Sequence, residues 1–449
     1  MIVPRSRLIF WTGAVLLPLS VLWPLGLLGA IPAAALAAGW ILFAAVDAFR
    51  ARGRLDGTRV RFPGVSRLSQ DREGVVELEL ENTAGTALSL VLGLAFPPEL
   101  VSPSEEMNFP LPAGKKRYRL SWPCTGRKRG RFFLENVHLE TGSPLGMWSV
   151  RRTLPGRAEV RVYPNTLRER KNLSALFLNR KALGIHAQRQ VGKGREFEQL
   201  RDYFPGDGFE DIHWKATAKR GRPITKVFQI ERTQECYVIL DASRLSAREF
   251  AEPAGAAGET AASQLDRSIT AALVLALVAE RQGDLFGLLA FDDQVRSFLR
   301  ARNGKAHYGA CREALYVLHP RMLNPDFGEL VSFIRLRLRR RALLIFLTSL
   351  DDPVLAEQFV RHVELIAGHH LVLVNLIQPP GVATLVSDAA AADDEDIYRR
   401  LAGHLQWQEL KALEKVLKRR GVGLALLDQA GLCPQVVSQY LNVKRRQLL

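Results

Sequence analysis

Leu8 to Val46 contains no Asp, Glu, Lys, Arg or His over 39 residues, and no other feature so narrows what this chain can become. One helix of that length would measure about 58 Å, close to twice the ~30 Å hydrocarbon core of a bilayer. The run must fold back. Gly29 to Pro32 is the natural bend, because glycine tolerates unusual dihedrals and proline disfavours a helical conformation in the residue before it. Two spans are expected, near 8–28 and 32–48, forming a transmembrane hairpin over 1–54. Arg5 and Arg7 flank the first and Arg50, Arg52 and Arg54 the second, so the positive-inside rule puts both ends, and the body that follows, in the cytoplasm. The run is far too long for a cleaved signal peptide, and a soluble core hairpin seldom goes uncharged for so long.

The remaining chain reads as globular. Of all 449 residues, 47% are hydrophobic and 24% charged, with the apolar excess concentrated in the first fifty. Cys124, Cys236, Cys311 and Cys433 lie far apart without a CxxC pair, which argues against disulfide scaffolds and zinc knuckles and fits a reducing compartment. A net charge of +16 is compatible with nucleic acid, an anionic membrane or an acidic protein. Its basic clusters, at Lys115–Arg119, Arg127–Arg131 and Arg335–Arg341, carry no RNA-recognition signature and no row of aromatics to serve as a stacking platform, so no nucleic-acid partner is expected.

Residues 55–165 alternate with period two, most clearly in Val76 to Glu81, and further strands at 87–95, 116–122, 131–139 and 158–163 are separated by Gly, Pro, Asn and Ser clusters. An all-β, sandwich-like domain is expected there, structural or docking in character. Residues 166–232 connect it to the next domain and hold the densest charge pattern. Between Arg195 and Arg232 eight basic side chains meet seven acidic ones, which predicts a charge network around buried Tyr203 and Trp214. Pro205 to Asp207 has turn chemistry, and Thr217 to Arg220 is expected to close a short helix with Gly221 as its C-terminal cap. Glu196, Asp207 and His213 are the residues a hydrolase reading would use as acid or base.

From 233 to 449 short apolar runs at 236–240, 285–291, 342–347, 371–377 and 423–427 alternate with helical stretches, which predicts an α/β doubly wound, mostly parallel sheet. Ligands bind beyond the carboxyl ends of such strands, where Asp241, Ser243, Asp292, Asp293, Thr348, Ser349, Asp351 and Asp352 should gather. Oxygen donors so grouped suit magnesium, and polar strand ends equally suit helix caps.

The region from Gly194 to Glu198, with Leu200, Arg201, Tyr203, Gly206, Asp207, Ile212, Trp214 and Ala218, resembles the hallmark of the bacterial "domain of unknown function fifty-eight" proteins. Arg129-Gly130, Ser143 to Gly146 and Val162 to Pro164 are similar to that family's β-domain, and Asp241-Ala-Ser243 to the start of its von Willebrand factor A-like domain. The resemblance implies a multi-pass bacterial inner-membrane scaffold without enzymatic activity that works with a MoxR-type AAA+ ATPase in complex assembly or cell-envelope processes. Glu196, Leu200, Arg201, Tyr203, Gly206, Asp207, Ile212, His213, Trp214 and Ala218 would form its binding motif. It also implies a DxSxS magnesium site at Asp241 and Ser243, in a magnesium-dependent protein-binding domain. The chain departs from that pattern where Leu245 takes the fifth position and Ser349 stands in place of a strand-end Asp, with Asp351 or Asp352 as substitutes. Glu210 and Asp211 also stand where relatives carry basic residues.

Overall fold

The computed structural model describes residues 1–25, 29–83, 85–114, 117–167, 169–171, 191–204, 208–229, 234–250, 262–379, 381–382, 394–428, 431–446 and 448. They fall into two compact units, one spanning Met1–Asn165 and the other Thr166–Ala251 with Ala261–Leu449.

The first unit opens with a short strand, β1 (Ile2–Pro4), then helix α1 (Ser6–Leu22) and helix α2 (Ala30–Ala51). Helix α1 ends at Leu22 rather than near residue 28, because Pro24 has no N–H to continue the ladder and Trp23–Leu25 form a turn. Helix α2 starts where the bend was expected, with Gly29 as its extended cap and Pro32 in the first turn, where a missing N–H costs nothing. Among the described residues α2 is the one helix long and apolar enough to cross a bilayer, and α1, at 17 residues, is a shorter apolar helix. Trp40 donates from Nε1 to Thr12 Oγ1 at 3.2 Å. The outer faces carry bare apolar side chains, Phe10 being 69% exposed and Leu42 67%. In water such a patch would have to be covered.

Strands β2 (Thr58–Arg61), β3 (Val65–Ser69), β4 (Glu73–Asn82), β5 (Leu88–Leu94), β6 (Leu100–Val101), β7 (Glu106–Leu111), β8 (Arg117–Gly126), β9 (Gly130–Gly142) and β10 (Trp148–Tyr163) follow. They form a six-stranded sheet, β1-β10-β9-β5-β7 with β3 beside β10, and a four-stranded sheet, β2-β4-β8-β6. The alternation in β4 does what period two requires. Val76, Leu78 and Leu80 are fully buried, while Glu79 and Glu81 face outward to Arg119 and Arg117 across the strand pair, each at 3.3 Å. Side chains from both sheets share one core, with Trp122 at its centre donating from Nε1 to Ser102 Oγ at 3.0 Å. Strand β1 was not anticipated, because three residues before an apolar helix carry no periodic signal. It pairs antiparallel with β10, Ile2 opposite Val150 and Pro4 opposite Trp148.

The second unit begins with the ribbon of β11 (Val191–Asp202) and β12 (Ile224–Gln229), joined through the short helix Trp214–Arg220. Strand β13 (Glu235–Asp241) follows, then a small ribbon of β14 (Glu249–Phe250) and β15 (Ala262–Ser263) and the long helix Gln264–Arg281. That helix starts on a capping box, the Ser263 side chain accepting from the Asp266 N–H and the Asp266 side chain from the Ser263 N–H. Strands β16 (Leu285–Phe291), β17 (Val295–Arg302), β18 (Leu343–Thr348), β19 (Leu371–Ile377) and β20 (Gly423–Leu427) complete a six-stranded sheet of order β17-β16-β13-β18-β19-β20. All neighbours are parallel except β17, which returns antiparallel to β16. The central strands are buried from end to end, and two apolar cores, one on each face, hold the helices to the sheet. The sequence reading missed β17 and the helix Phe327–Arg337, whose arginines interrupt the apolar pattern.

Candidate functional site

In this sheet the strand order reverses between β13 and β18, and doubly wound folds bind ligands at that crevice, beyond the carboxyl ends. Asp241 ends β13 and Thr348 ends β18. Both are buried, Asp241 to 1% exposure, and the Thr348 hydroxyl donates to Asp241 Oδ2 at 2.5 Å. The other carboxylate oxygen accepts from the Ser243 N–H at 2.8 Å. Burial pushes the Asp241 carboxyl above the usual carboxylate range, and the hydrogen bonds from Ser243 and Thr348 reverse only part of that rise.

The other acids of the predicted cluster are held by arginines that the sequence reading did not single out. Asp292, at the end of β16, receives Arg296 Nε on both oxygens, at 2.6 and 2.8 Å, and Arg321 approaches it at 3.6 Å. Arg248 donates to Asp351 at 2.6 Å, and Arg244 to Asp352 at 3.2 Å and to Asn324. Burial would raise the Asp292 carboxyl, but Arg296 beside it outweighs that and holds it below the usual range. Asp351 is likewise held low, burial being outweighed by the Ser349 hydroxyl and Arg248. Backbone contacts lay the loop with Arg321 and Asn324 across the end of β13: the Arg321 N–H donates to Ala242 O at 2.8 Å and the Arg244 N–H to Leu323 O at 3.0 Å. Arg296 lies four residues after Asp292, and Arg244 directly follows Ser243, which is the signal the sequence offered.

These donors do not fit a divalent cation. Both Asp241 oxygens, both Asp292 oxygens and Asp351 are already committed to N–H or O–H donors, and Ser243 Oγ accepts from the Leu245 N–H at 3.3 Å. Among the described residues no three His, Cys, Asp or Glu side chains are arranged to hold a metal. A tight site occupied at one hundred times its Kd would add about 2.7 kcal/mol to stability. Adding magnesium, or a chelator, should instead leave the thermal unfolding midpoint of the purified chain unchanged, as differential scanning fluorimetry can check.

The second predicted site, on the ribbon, is differently arranged. Ile212 is buried and bridges to Thr225, and the His213 N–H donates to Ile224 O at 2.7 Å. His213 Nδ1 accepts from the Ala216 N–H at 3.0 Å, so this histidine caps the helix. Gly221 ends it at φ 67°, as expected, its N–H donating to Thr217 O at 2.9 Å. Glu196 pairs through its backbone with Gln229, while its side chain, with Gly206 and Asp207, lies outside the described residues. Leu200 and Arg201 are half-buried, the Arg201 guanidinium 5.2 Å from the Phe204 ring, and Ala218 is exposed. The expectation of a buried Trp214 is corrected: it is 67% exposed, and Phe209 and Phe204 are 75% and 60% exposed. Tyr203 is half-buried against the Phe209 ring, at 6.1 Å, and the Arg222–Asp202 pair, at 3.3 Å, is surface-exposed.

A doubly wound sheet of this order, with an antiparallel strand at one edge and an Asp-x-Ser turn after its first strand, defines a von Willebrand factor A-like domain. Residues 199–398 match the family model described as "Protein of unknown function DUF58", the family that the sequence resembles. "Uncharacterized protein Rv1480" of Mycobacterium tuberculosis is 23% identical over 216 residues, 47% of this chain and 64% of that protein's length. Two solved structures are similar to part of the chain. One is the conserved hypothetical protein BatB from Bacteroides thetaiotaomicron, at 15% identity and TM-score 0.31, covering 47% of this chain and 99% of that one. The other is an aerotolerance-related membrane protein from Bacteroides fragilis, at 14% and 0.31, covering 46% and 98%.

Proposed function

We propose that this chain is a non-enzymatic, membrane-anchored scaffold whose A-type domain and ribbon dock a MoxR-type AAA+ ATPase. The observation that carries this reading is the exposed aromatic trio Phe204, Phe209 and Trp214 on the ribbon, flanked by Lys215, Lys219 and Arg220. Exposed tryptophan beside basic residues is the composition of a protein-docking hot spot, and truncating such an anchor typically costs about 2 kcal/mol or more. At the strand ends Asp292, Asp351 and Asp352 are tied to arginines and both Asp241 oxygens accept from Ser243 and Thr348, which supports the same reading.

Anchoring is read from helix α2 as a candidate span with α1 beside it as the other arm of a hairpin. The pairing of β1 with β10 supports a two-span arrangement, since it ties the residue before α1 to a domain that follows α2 and so needs both on one side of the membrane. The arginines flanking both helices favour the cytoplasmic side of the bacterial inner membrane. Co-purification from native membranes tests the proposal. The wild type should recover a AAA+ ATPase, and Trp214→Ala should recover roughly thirtyfold less, the equivalent of about 2 kcal/mol. Recovery of no ATPase by the wild type would sink it.

A further inference from the structure

At the amino-terminal end of the parallel strands, opposite the Asp241 site, the chain gathers seven exposed arginines. Arg300 and Arg302 finish the edge strand β17, Arg335 and Arg337 lie in the last turn of the helix Phe327–Arg337, and Arg339 to Arg341 lead into β18. A helix C-terminus favours cations in its last turn, which accounts for Arg335 and Arg337 but not for the other five. Counter-charge is scarce. Among the described residues the one ion pair recorded for them joins Arg340, its side chain 80% exposed, to Glu235 at 3.9 Å. In the middle of the array Leu336 is 76% exposed.

We propose that this arginine end binds the phosphate groups of an anionic lipid surface, with Leu336 entering the headgroup boundary. The proposal rests on the membrane anchoring read above. Guanidinium forks match phosphate oxygens in pairs, and a basic array around an isolated apolar side chain is the pattern of an interfacial contact. Single-stranded nucleic acid would need aromatic faces to stack on. Here Tyr237 is buried and stacks on Phe298 with centroids 6.1 Å apart, while Phe333 lies under the Arg337 guanidinium. A protein partner would need a shaped apolar core, whereas a fluid charged plane needs only the array.

The test uses the full chain in nanodiscs, with an environment-sensitive fluorophore on Ser332→Cys, an exposed position one helical turn before Leu336. The four native cysteines are buried and leave that thiol as the reactive one. Discs of phosphatidylcholine mixed with phosphatidylglycerol should shift the emission to the blue and discs of phosphatidylcholine alone should not, and raising salt from about 0.1 M to about 1 M should reverse the shift. Each basic residue near such a surface is worth about fivefold, so combining Arg339→Gln, Arg340→Gln and Arg341→Gln should weaken docking roughly a hundredfold. Unchanged exchange protection in β18 would verify that this variant folds. Equal emission on both discs, or a shift that survives the triple substitution, would overturn the proposal. So would an arginine-dependent response in neutral discs to inorganic phosphate or duplex DNA, which would assign the array to a soluble ligand. A chain that enters neither disc would overturn the anchoring reading, and this inference with it.

Discussion

Asp47→Ala is expected to loosen the β-domain from its helical stem at a cost of about 3 kcal/mol. Asp47 sits in the last turn of α2 at 1% exposure. An acid there opposes the helix dipole by a few tenths of a kcal/mol to about 1, so it needs compensation. Its Oδ2 accepts from the Ser143 hydroxyl at 2.6 Å and its Oδ1 from the Leu145 N–H at 3.1 Å. Ser143 Oγ in turn accepts from the Trp148 N–H at 3.0 Å, so one carboxylate organises the whole turn from Ser143 to Trp148. Alanine would leave the buried Ser143 hydroxyl without its acceptor, at about 1–3 kcal/mol, and the half-exposed Leu145 N–H without its own at less. The stem would not come away entirely. Trp148 Nε1 still reaches Ala44 O at 2.9 Å, Arg54 reaches Gly142 O at 2.7 Å and Arg5 reaches Ser149 Oγ at 2.6 Å. Alanine also makes α2 more apolar, so insertion into membranes should be unimpaired while exchange of the amides from 143 to 148 speeds up about a hundredfold, the equivalent of about 3 kcal/mol. Asp47→Asn, which keeps one acceptor oxygen, should recover part of the protection. Wild-type exchange rates in Asp47→Ala would remove Asp47 from this role.

How legible each part was follows from how local its cause is. Val76 to Glu81 declared its strand because one face is buried and the other solvated, and β16 and β20 were placed residue for residue because each is an unbroken apolar run between polar residues. Strand β17 is half-exposed at the sheet edge and reads Val-Arg-Ser-Phe-Leu-Arg-Ala-Arg, so neither period emerges. The gathering of Asp241 with Thr348 was legible because both residues end buried strands, which topology alone brings side by side. The arginine partners of Asp351 and Asp292 were not, because Arg248 and Arg321 come to the site on loops whose paths are set by backbone bonds between distant residues. Trp214 misled for a related reason. An indole in a dense motif implies a core only where other side chains pack over it, and nothing in the motif announces that Ile212 and Ile224 are covered while Trp214 is not.

Asp241→Asn should stabilise the A-type domain at neutral pH, whereas Asp292→Asn should weaken it. Asp241 has no cation beside it among the described residues, and a buried ion without a partner carries a penalty of several kcal/mol even after relaxation. Asparagine keeps an acceptor for the Ser243 N–H, and the Thr348 hydroxyl can turn to accept from the new amide. Asp292 is paired with Arg296, and removing its charge forfeits that interaction. The two acids therefore pull pH dependence in opposite directions. With its folded pKa raised, Asp241 takes up its proton in the folded state first, so stability grows as pH falls through that folded value and the gain is complete below the unfolded value of about 4. With theirs lowered, Asp292 and Asp351 contribute stability above about pH 4 that is lost as pH falls through their folded values. The wild-type domain should consequently be more stable in mild acid than at neutrality and fail in stronger acid, and Asp241→Asn should flatten the first limb while leaving the second. Urea midpoints at about pH 5 and pH 7.5, read from exchange protection in β13 and β18, measure the first limb. An Asp241→Asn protein that keeps the wild-type difference between those two midpoints would show that another group titrates there.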